Sequence, residues 1–61
     1  MISIWFRFRD NAPTVLDRAP DRARANYLAH EYAMALGCLP GQAGYGRDRV
    51  WAGRRDQEPR G

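Results

Sequence analysis

The chain has 61 residues, and 44% of them are hydrophobic, a content too high for an intrinsically disordered protein. A chain of this length forms one small domain, which buries only about 60% of its unfolded surface. Cys38 and His30 are the only cysteine and the only histidine, which excludes an internal disulfide and a four-ligand structural zinc site. The net charge of +3 comes from ten arginines, with no lysine, against seven acidic residues. This charge is compatible with nucleic acid but falls well short of a polybasic arm.

The first predicted element is a strand over residues 2–9, which read I-S-I-W-F-R-F-R. The even positions are all apolar and should face the core: Ile2, Ile4, Phe6 and Phe8. The odd positions from 5 onward are aromatic or basic: Trp5, Arg7 and Arg9. Strict alternation of this kind predicts a β-strand that is buried on one side.

Residues 14–18 carry a pattern that resembles the start of a helix, because Thr14 stands three residues before Asp17, as in a capping box. Pro20 interrupts this segment, and proline is tolerated in a helix only at its first turn. The sequence therefore predicts a short turn or helix over residues 14–18.

The main helix is predicted to begin at Pro20 or Asp21 and to end at Leu36, with Gly37 as the C-terminal stop. At roughly 100° per residue, one stripe of this helix is apolar and should face the core: Ala25, Leu28, Ala29, Tyr32, Ala35 and Leu36. A second, narrower stripe lies opposite: Ala23, Tyr27, His30 and Met34. One strand cannot cover both stripes, so we expect the second to meet another molecule.

The remaining residues predict a connector, a weak strand and a tail. Residues 41–46 read G-Q-A-G-Y-G, which lacks the Walker and dinucleotide-binding spacings and is typical of a loop. Residues 47–52 read R-D-R-V-W-A and favour a short strand. Residues 53–61 have no apolar side chain to anchor them, which predicts a flexible tail. The expected fold is α+β, with one compact domain over residues 1–52 and the helix on a small antiparallel sheet.

Catalytic, cofactor and metal sites are not expected. His30 is the only imidazole, and it lies in the middle of the predicted helix, eight residues before Cys38. The acidic residues are scattered among arginines, a pattern typical of solvated ion pairs. The longest apolar run, residues 33–36, is far too short to span a bilayer, and no signal-peptide pattern is evident. We therefore expect a cytoplasmic protein that is not an enzyme and has no membrane partner.

The main functional candidates are arginine and aromatic residues, which bind nucleic acid by stacking and by pairing with phosphates and which are also enriched at protein interfaces. Together with the second helix stripe they form the candidate partner-binding set: Trp5, Arg7, Arg9, Tyr27, His30, Met34, Arg47, Arg49 and Trp51. The structural alternative is that Trp5 and Trp51 pack against each other while the arginines stay solvated. RNA, DNA and acidic protein all stay open as partners, as does a homodimer.

The first 37 residues resemble the ribbon-helix-helix DNA-binding proteins, in which two chains pair their N-terminal strands and insert them into the major groove. The resemblance implies a ribbon over residues 2–9, a first helix over residues 14–19 and a second over residues 21–36. Of the two hypotheses, we favour a non-catalytic protein that binds a larger protein or nucleoprotein complex. A short single-domain chain of this kind is typical of bacterial mobile elements, which predicts a phage-type inhibitor similar to the anti-CRISPR proteins.

Overall fold

The computed structural model describes residues 1–39 and 48–59. Within these residues, one α-helix packs against a three-stranded antiparallel sheet, which confirms the predicted α+β class. A short 3-10 helix follows the last strand. The elements in chain order are β1 (Ile2–Arg7), β2 (Thr14–Ala19), α1 (Arg22–Ala35), β3 (Arg49–Gly53) and the 3-10 helix (Arg55–Gln57).

The sheet has the strand order β2-β1-β3, so the N-terminal strand is central. The segment predicted to be a turn or a short helix is strand β2, so this prediction was wrong. The register between β1 and β2 shifts between Ile4 and Trp5, which leaves Leu16 as an extra residue in β2. This bulge breaks the alternation by which a strand is recognised in sequence, and pairing with β1 outweighs the local capping pattern.

Helix α1 matches its prediction closely, because its end signals act where they were expected. Asp21 is the N-cap, and its carboxylate accepts a hydrogen bond of 2.8 Å from the backbone N–H three residues later. Gly37 adopts a left-handed φ of 74° after the C-cap residue Leu36. The backbone N–H of Cys38 then donates to the carbonyl of Ala33 at 2.8 Å. These bonds close the helix with the glycine motif that commonly ends helices.

The core lies between α1 and the inner face of the sheet. Ile4, Ala19 and Ala25 are fully buried at its centre. Partly buried apolar residues surround them: Ile2, Leu28, Ala29, Tyr32, Val50 and Ala52. The first four residues of the predicted helix stripe therefore face the sheet. The last two are exposed instead, so the prediction that Ala35 and Leu36 face the core was wrong. The buried side continues through Ala33, which is 8% exposed and lies four residues after Ala29, and Leu36 is the C-cap residue, with φ −95° and ψ 1°.

The resemblance to ribbon-helix-helix proteins does not extend to the architecture. Its first helix would cover residues 14–19, and these form β2. Strand β1 is hydrogen-bonded on both edges within its own chain, to β2 and to β3. It therefore has no free edge with which to pair a second copy as a ribbon. Across the part of the chain that the structure describes, no helix has the length and apolar character needed to cross a membrane.

Candidate binding surfaces

The candidate residues separate into two sets on opposite sides of the domain. The face of the sheet turned away from α1, here called the outer sheet face, carries four of them: Trp5, Arg7, Arg49 and Trp51. The exposed side of α1, here called the outer helix face, carries three: Tyr27, His30 and Met34. Arg9 lies in the loop after β1, and Arg47 falls outside the described residues, as does the glycine-rich segment 41–46.

The two tryptophans pack against each other on the outer sheet face. Trp5 and Trp51 are cross-strand partners, and their rings stack with centroids 6.4 Å apart and planes 14° apart. The indole N–H of Trp5 donates to the carbonyl of Gly53 at 3.0 Å, and that of Trp51 donates to the carbonyl of Arg54 at 2.9 Å. Trp51 is only 5% exposed. The alternative in which the tryptophans pack together therefore describes their arrangement.

Arg7 is paired with a residue near the other end of the chain. Its Nε lies 2.9 Å from each carboxylate oxygen of Glu58, and its Nη2 donates to Oε2 of the same group. Both side chains are only about a quarter exposed, at 28% and 25%. The hydrogen-bonded carboxylate raises the pKa of Arg7 above its ordinary value, and the guanidinium lowers the pKa of Glu58. Both shifts favour the charged forms that make the pair.

Residues 54–59 lie across the outer sheet face and complete its hydrogen bonds. Besides the contacts of Trp51 and Glu58, the Nε of Arg49 donates to the carbonyl of Pro59 at 3.2 Å. Glu58 anchors the segment although it belongs to no sequence pattern, because residues 53–61 contain no apolar side chain by which an anchor would be recognised. These contacts do not measure mobility, so the flexibility of residues 53–61 stays a prediction.

Gly53 joins β3 to this segment under tight constraints. Its φ of 130° is a conformation that L side chains rarely adopt. A Cβ atom at this position would collide with Oε1 of Gln57, and the same oxygen accepts a hydrogen bond of 2.8 Å from the backbone N–H of Arg54. The glycine therefore allows residues 54–57 to turn back onto the sheet.

The predicted strand end at Arg9 is two residues too late, because the backbone turns before it. Arg9 has a left-handed φ of 55°, and its N–H donates to Oδ1 of the buried Asp48 at 3.1 Å. Its guanidinium lies 5.0 Å from the centroid of the Phe8 ring. Phe8 itself is 45% exposed, so the prediction that it faces the core was wrong, because β1 ends at Arg7 and the strand alternation does not reach Phe8. Arg9 is therefore a loop residue, separate from the tryptophan pair.

The outer helix face is the most exposed of the predicted surfaces. Tyr27 is 54% exposed and Met34 is 41% exposed, and His30 between them is exposed as well. The guanidinium of Arg24 lies 5.3 Å from the centroid of the Tyr27 ring. A hydrogen bond with Glu31 raises the pKa of the Tyr27 hydroxyl. Tyr27 is thus held from both sides by charged residues of its own helix.

Two further features, an open depression and the thiol of Cys38, do not indicate a reactive site. An open depression of about 620 Å³ is lined by Pro13, Arg54, Arg55 and Asp56, and it contains an exposed ion pair with 3.4 Å between Nε of Arg54 and Oδ1 of Asp56. Burial and the nearby Asp48 raise the pKa of the Cys38 thiol, which keeps it in the unreactive form. In the ranges 1–39 and 48–59, His, Cys, Asp and Glu form no group of three or more that could hold a metal.

Comparison of the chain with protein-family models, with curated proteins and with solved structures gives no match.

Proposed function

We propose that this protein is a non-catalytic binding module that engages a larger protein or nucleoprotein partner through the outer helix face. The observation that carries the proposal is the exposure of Tyr27 and Met34, at 54% and 41%, two turns apart on one surface of α1. Residues seven apart on a helix share a face. His30 lies between them on the same face.

The residue types on this face suit recognition. Tyrosine offers a large amphipathic contact at a small cost in conformational entropy, and methionine adapts its shape to an apolar partner. The Arg24 guanidinium already lies 5.3 Å from the centroid of the Tyr27 ring, which favours this orientation of the ring before any partner binds. Pre-organised side chains lose less entropy on binding, which favours affinity.

The outer sheet face is less available for this role. Trp51 is almost fully buried, and both indole N–H groups already donate to carbonyls of the same chain. The guanidinium of Arg7 is occupied by Glu58. A partner can use these groups only by replacing the residues that hold them.

The test compares two variants that place the same charge at neighbouring positions of α1. Met34→Glu changes the outer helix face, whereas Ala35→Glu places the charge roughly 100° further around the helix, at a position that is also exposed. Each tagged variant is expressed in cells of the source organism and the captured proteins are quantified. We expect Met34→Glu to lose the partner that wild type and Ala35→Glu retain.

Light scattering of the purified proteins covers the case in which the partner is a second copy. A wild-type dimer that becomes a monomer only in Met34→Glu would identify the outer helix face as a homodimer interface. Equal capture and equal mass for all three proteins would contradict the proposal.

The narrower hypothesis of an anti-CRISPR-like phage inhibitor is supported by chain size and the absence of recognisable catalytic motifs in the sequence. Its test is a plaque assay in cells with an active CRISPR system. The hypothesis requires that expression of the wild-type chain restores phage growth and that Met34→Glu does not. No restoration by the wild-type chain, in hosts representing the main CRISPR types, would contradict it.

A further inference from the structure

The contacts that hold residues 54–59 divide cleanly into donors and acceptors. The sheet supplies the donors, which are the guanidinium of Arg7, the Nε of Arg49 and the indole N–H of Trp51. The segment supplies the acceptors, which are the Glu58 carboxylate and the main-chain carbonyls of residues 54 and 59. The outer sheet face is therefore built to bind a short peptide that carries a carboxylate.

The segment that occupies this face contributes little burial of its own. Residues 54–57 are exposed, as is Pro59, and Glu58 alone is half-buried. Hydrogen bonds and one ion pair hold the segment, and water can replace hydrogen bonds at a small net cost. A segment with few buried apolar contacts opens at a lower free energy than the core. The pairing of β1 with β3 ends at Gly53, so the segment can leave without breaking the sheet.

From these contacts we infer that the outer sheet face is a second binding site, which takes a glutamate-carrying peptide segment of a partner protein and is covered in the free protein by residues 54–59. Glu58 acts as an internal competitor for the partner's carboxylate. The spacing of the contacts defines the ligand. The carbonyl of its first residue accepts from the indole N–H of Trp51, and a glutamate four residues later pairs with Arg7. The carbonyl of the residue after this glutamate accepts from the Nε of Arg49. This site is distinct from the outer helix face and does not depend on the function proposed for it.

The experiment weakens the internal competitor in the full-length chain and supplies the ligand separately. The probe is a capped synthetic peptide with the sequence of residues 54–59, R-R-D-Q-E-P. Binding is followed by NMR through the two indole N–H signals of ¹⁵N-labelled protein. In Glu58→Ala, residues 54–59 lose their charge-assisted bond to Arg7 and compete less well for the outer sheet face. This variant should therefore bind the probe about tenfold more tightly than wild type. Asp56→Ala, which removes a charge from the exposed pair with Arg54, should bind like wild type.

A second probe, with glutamine in place of its glutamate, should bind Glu58→Ala about tenfold more weakly than the first, because it lacks the charge that pairs with Arg7. Equal affinity of wild type and Glu58→Ala, or of the two probes, would overturn the inference. Tighter binding of a short oligothymidine than of the first peptide would assign the site to nucleic acid and would overturn the inference as well. If Glu58→Ala does not fold, Glu58→Gln takes its place. If neither variant folds, residues 54–59 are required for folding of the domain, and their displacement by a partner peptide is excluded.

Discussion

The outer sheet face and the outer helix face carry similar residue types, but they differ in how those residues are held. Trp51 is 5% exposed and Tyr27 is 54% exposed, although both are large aromatic side chains opposite the core. On the sheet, the stabilising contacts join distant parts of the chain, as in the pair of Arg7 with Glu58, 51 residues apart. On the helix, the contacts of Tyr27 are with its neighbours on α1.

The difference suggests a rule for this domain: contacts between residues far apart in sequence stabilise the fold, whereas contacts within α1 leave side chains available for binding. Contacts between β1 and the C-terminal segment form only when the sheet is assembled, so they add to the stability of the folded domain. Contacts within one helix add little to tertiary stability, and they leave most of the side chain available to a partner. Substitutions on the outer sheet face should therefore lower stability whatever they do to binding, and those on the outer helix face should affect binding with little change in stability.

The largest effect is expected for Trp51→Ala. Removal of a buried tryptophan costs about 3–5 kcal/mol, which approaches the whole stability of a small domain, about 5 kcal/mol at the low end. The variant should be largely unfolded in urea titrations followed by circular dichroism. Trp51→Phe is the matched control, because it keeps an aromatic ring but loses the bond to the carbonyl of Arg54, which is worth about 1 kcal/mol. If Trp51→Ala were as stable as Trp51→Phe, the buried ring would not contribute to stability, and the two faces would not differ in the way described.

Gly53→Ala should have the next largest effect. The φ of 130° is strained for alanine, and the Gln57 side chain would have to move aside and give up its hydrogen bond with the backbone N–H of Arg54, so we expect a cost of about 2 kcal/mol. The melting temperature of a domain of this size should fall by about 10 °C. Gly37→Asn is the control, since its φ of 74° is one that asparagine tolerates. Equal melting temperatures for wild type and Gly53→Ala in calorimetry would show that residues 54–57 do not turn back onto the sheet.

A smaller, pH-dependent effect is expected for Glu58→Gln. Arg7 lowers the pKa of Glu58 below its ordinary value of 4.5, so the folded state favours the charged carboxylate. The stabilisation is present above pH 4.5 and is lost as the pH falls through the lowered pKa. Wild type should therefore melt a few degrees above Glu58→Gln at neutral pH, and the gap should close on acidification.

The control for this titration is Asp56→Asn, because Asp56 pairs with Arg54 in a contact that is 76% exposed on both sides. An exposed ion pair contributes little, so its melting temperature should follow that of wild type across the pH range. A gap between wild type and Glu58→Gln that does not change with pH would show that the pair with Arg7 does not form in solution.

The smallest effect on stability is expected for the outer helix face. Met34→Glu and Ala35→Glu both change exposed positions near the end of α1, and each should alter the free energy of unfolding by about 0.5 kcal/mol or less. Urea denaturation provides the measurement. A loss of several kcal/mol in Met34→Glu alone would mean that this face belongs to the folded core rather than to a binding surface.

The sequence predicts those elements whose signals are local. Alternation in residues 2–9 identifies β1, and Asp21 and Gly37 mark the two ends of α1. Strand β2 could not be found in this way, because its bulge at Leu16 disrupts the alternation and Thr14 with Asp17 imitates a helix start. Its strand conformation is determined by pairing with β1, which is a tertiary effect.

The division of the candidate site into two faces could be predicted from the sequence, but the contacts that hold one of them could not. Alternation places Trp5 and Arg7 on one side of β1, and helical periodicity places Tyr27 with Met34, so the members of each face could be grouped. The role of Glu58 could not be foreseen, since no local pattern links it to Arg7 across 51 residues. A polar segment without apolar side chains can still be anchored by one carboxylate that meets a guanidinium.

The central claim, that residues 54–59 cover the outer sheet face, is tested most directly by the NOESY spectrum of the wild-type protein. The indole N–H proton of Trp51 should show NOEs to the backbone of Arg54 and Arg55, and the side chains of Arg7 and Glu58 should show NOEs to each other. The indole proton should also exchange with solvent far more slowly than in free tryptophan. Absence of these NOEs, together with exchange as fast as in the free amino acid, would contradict the account.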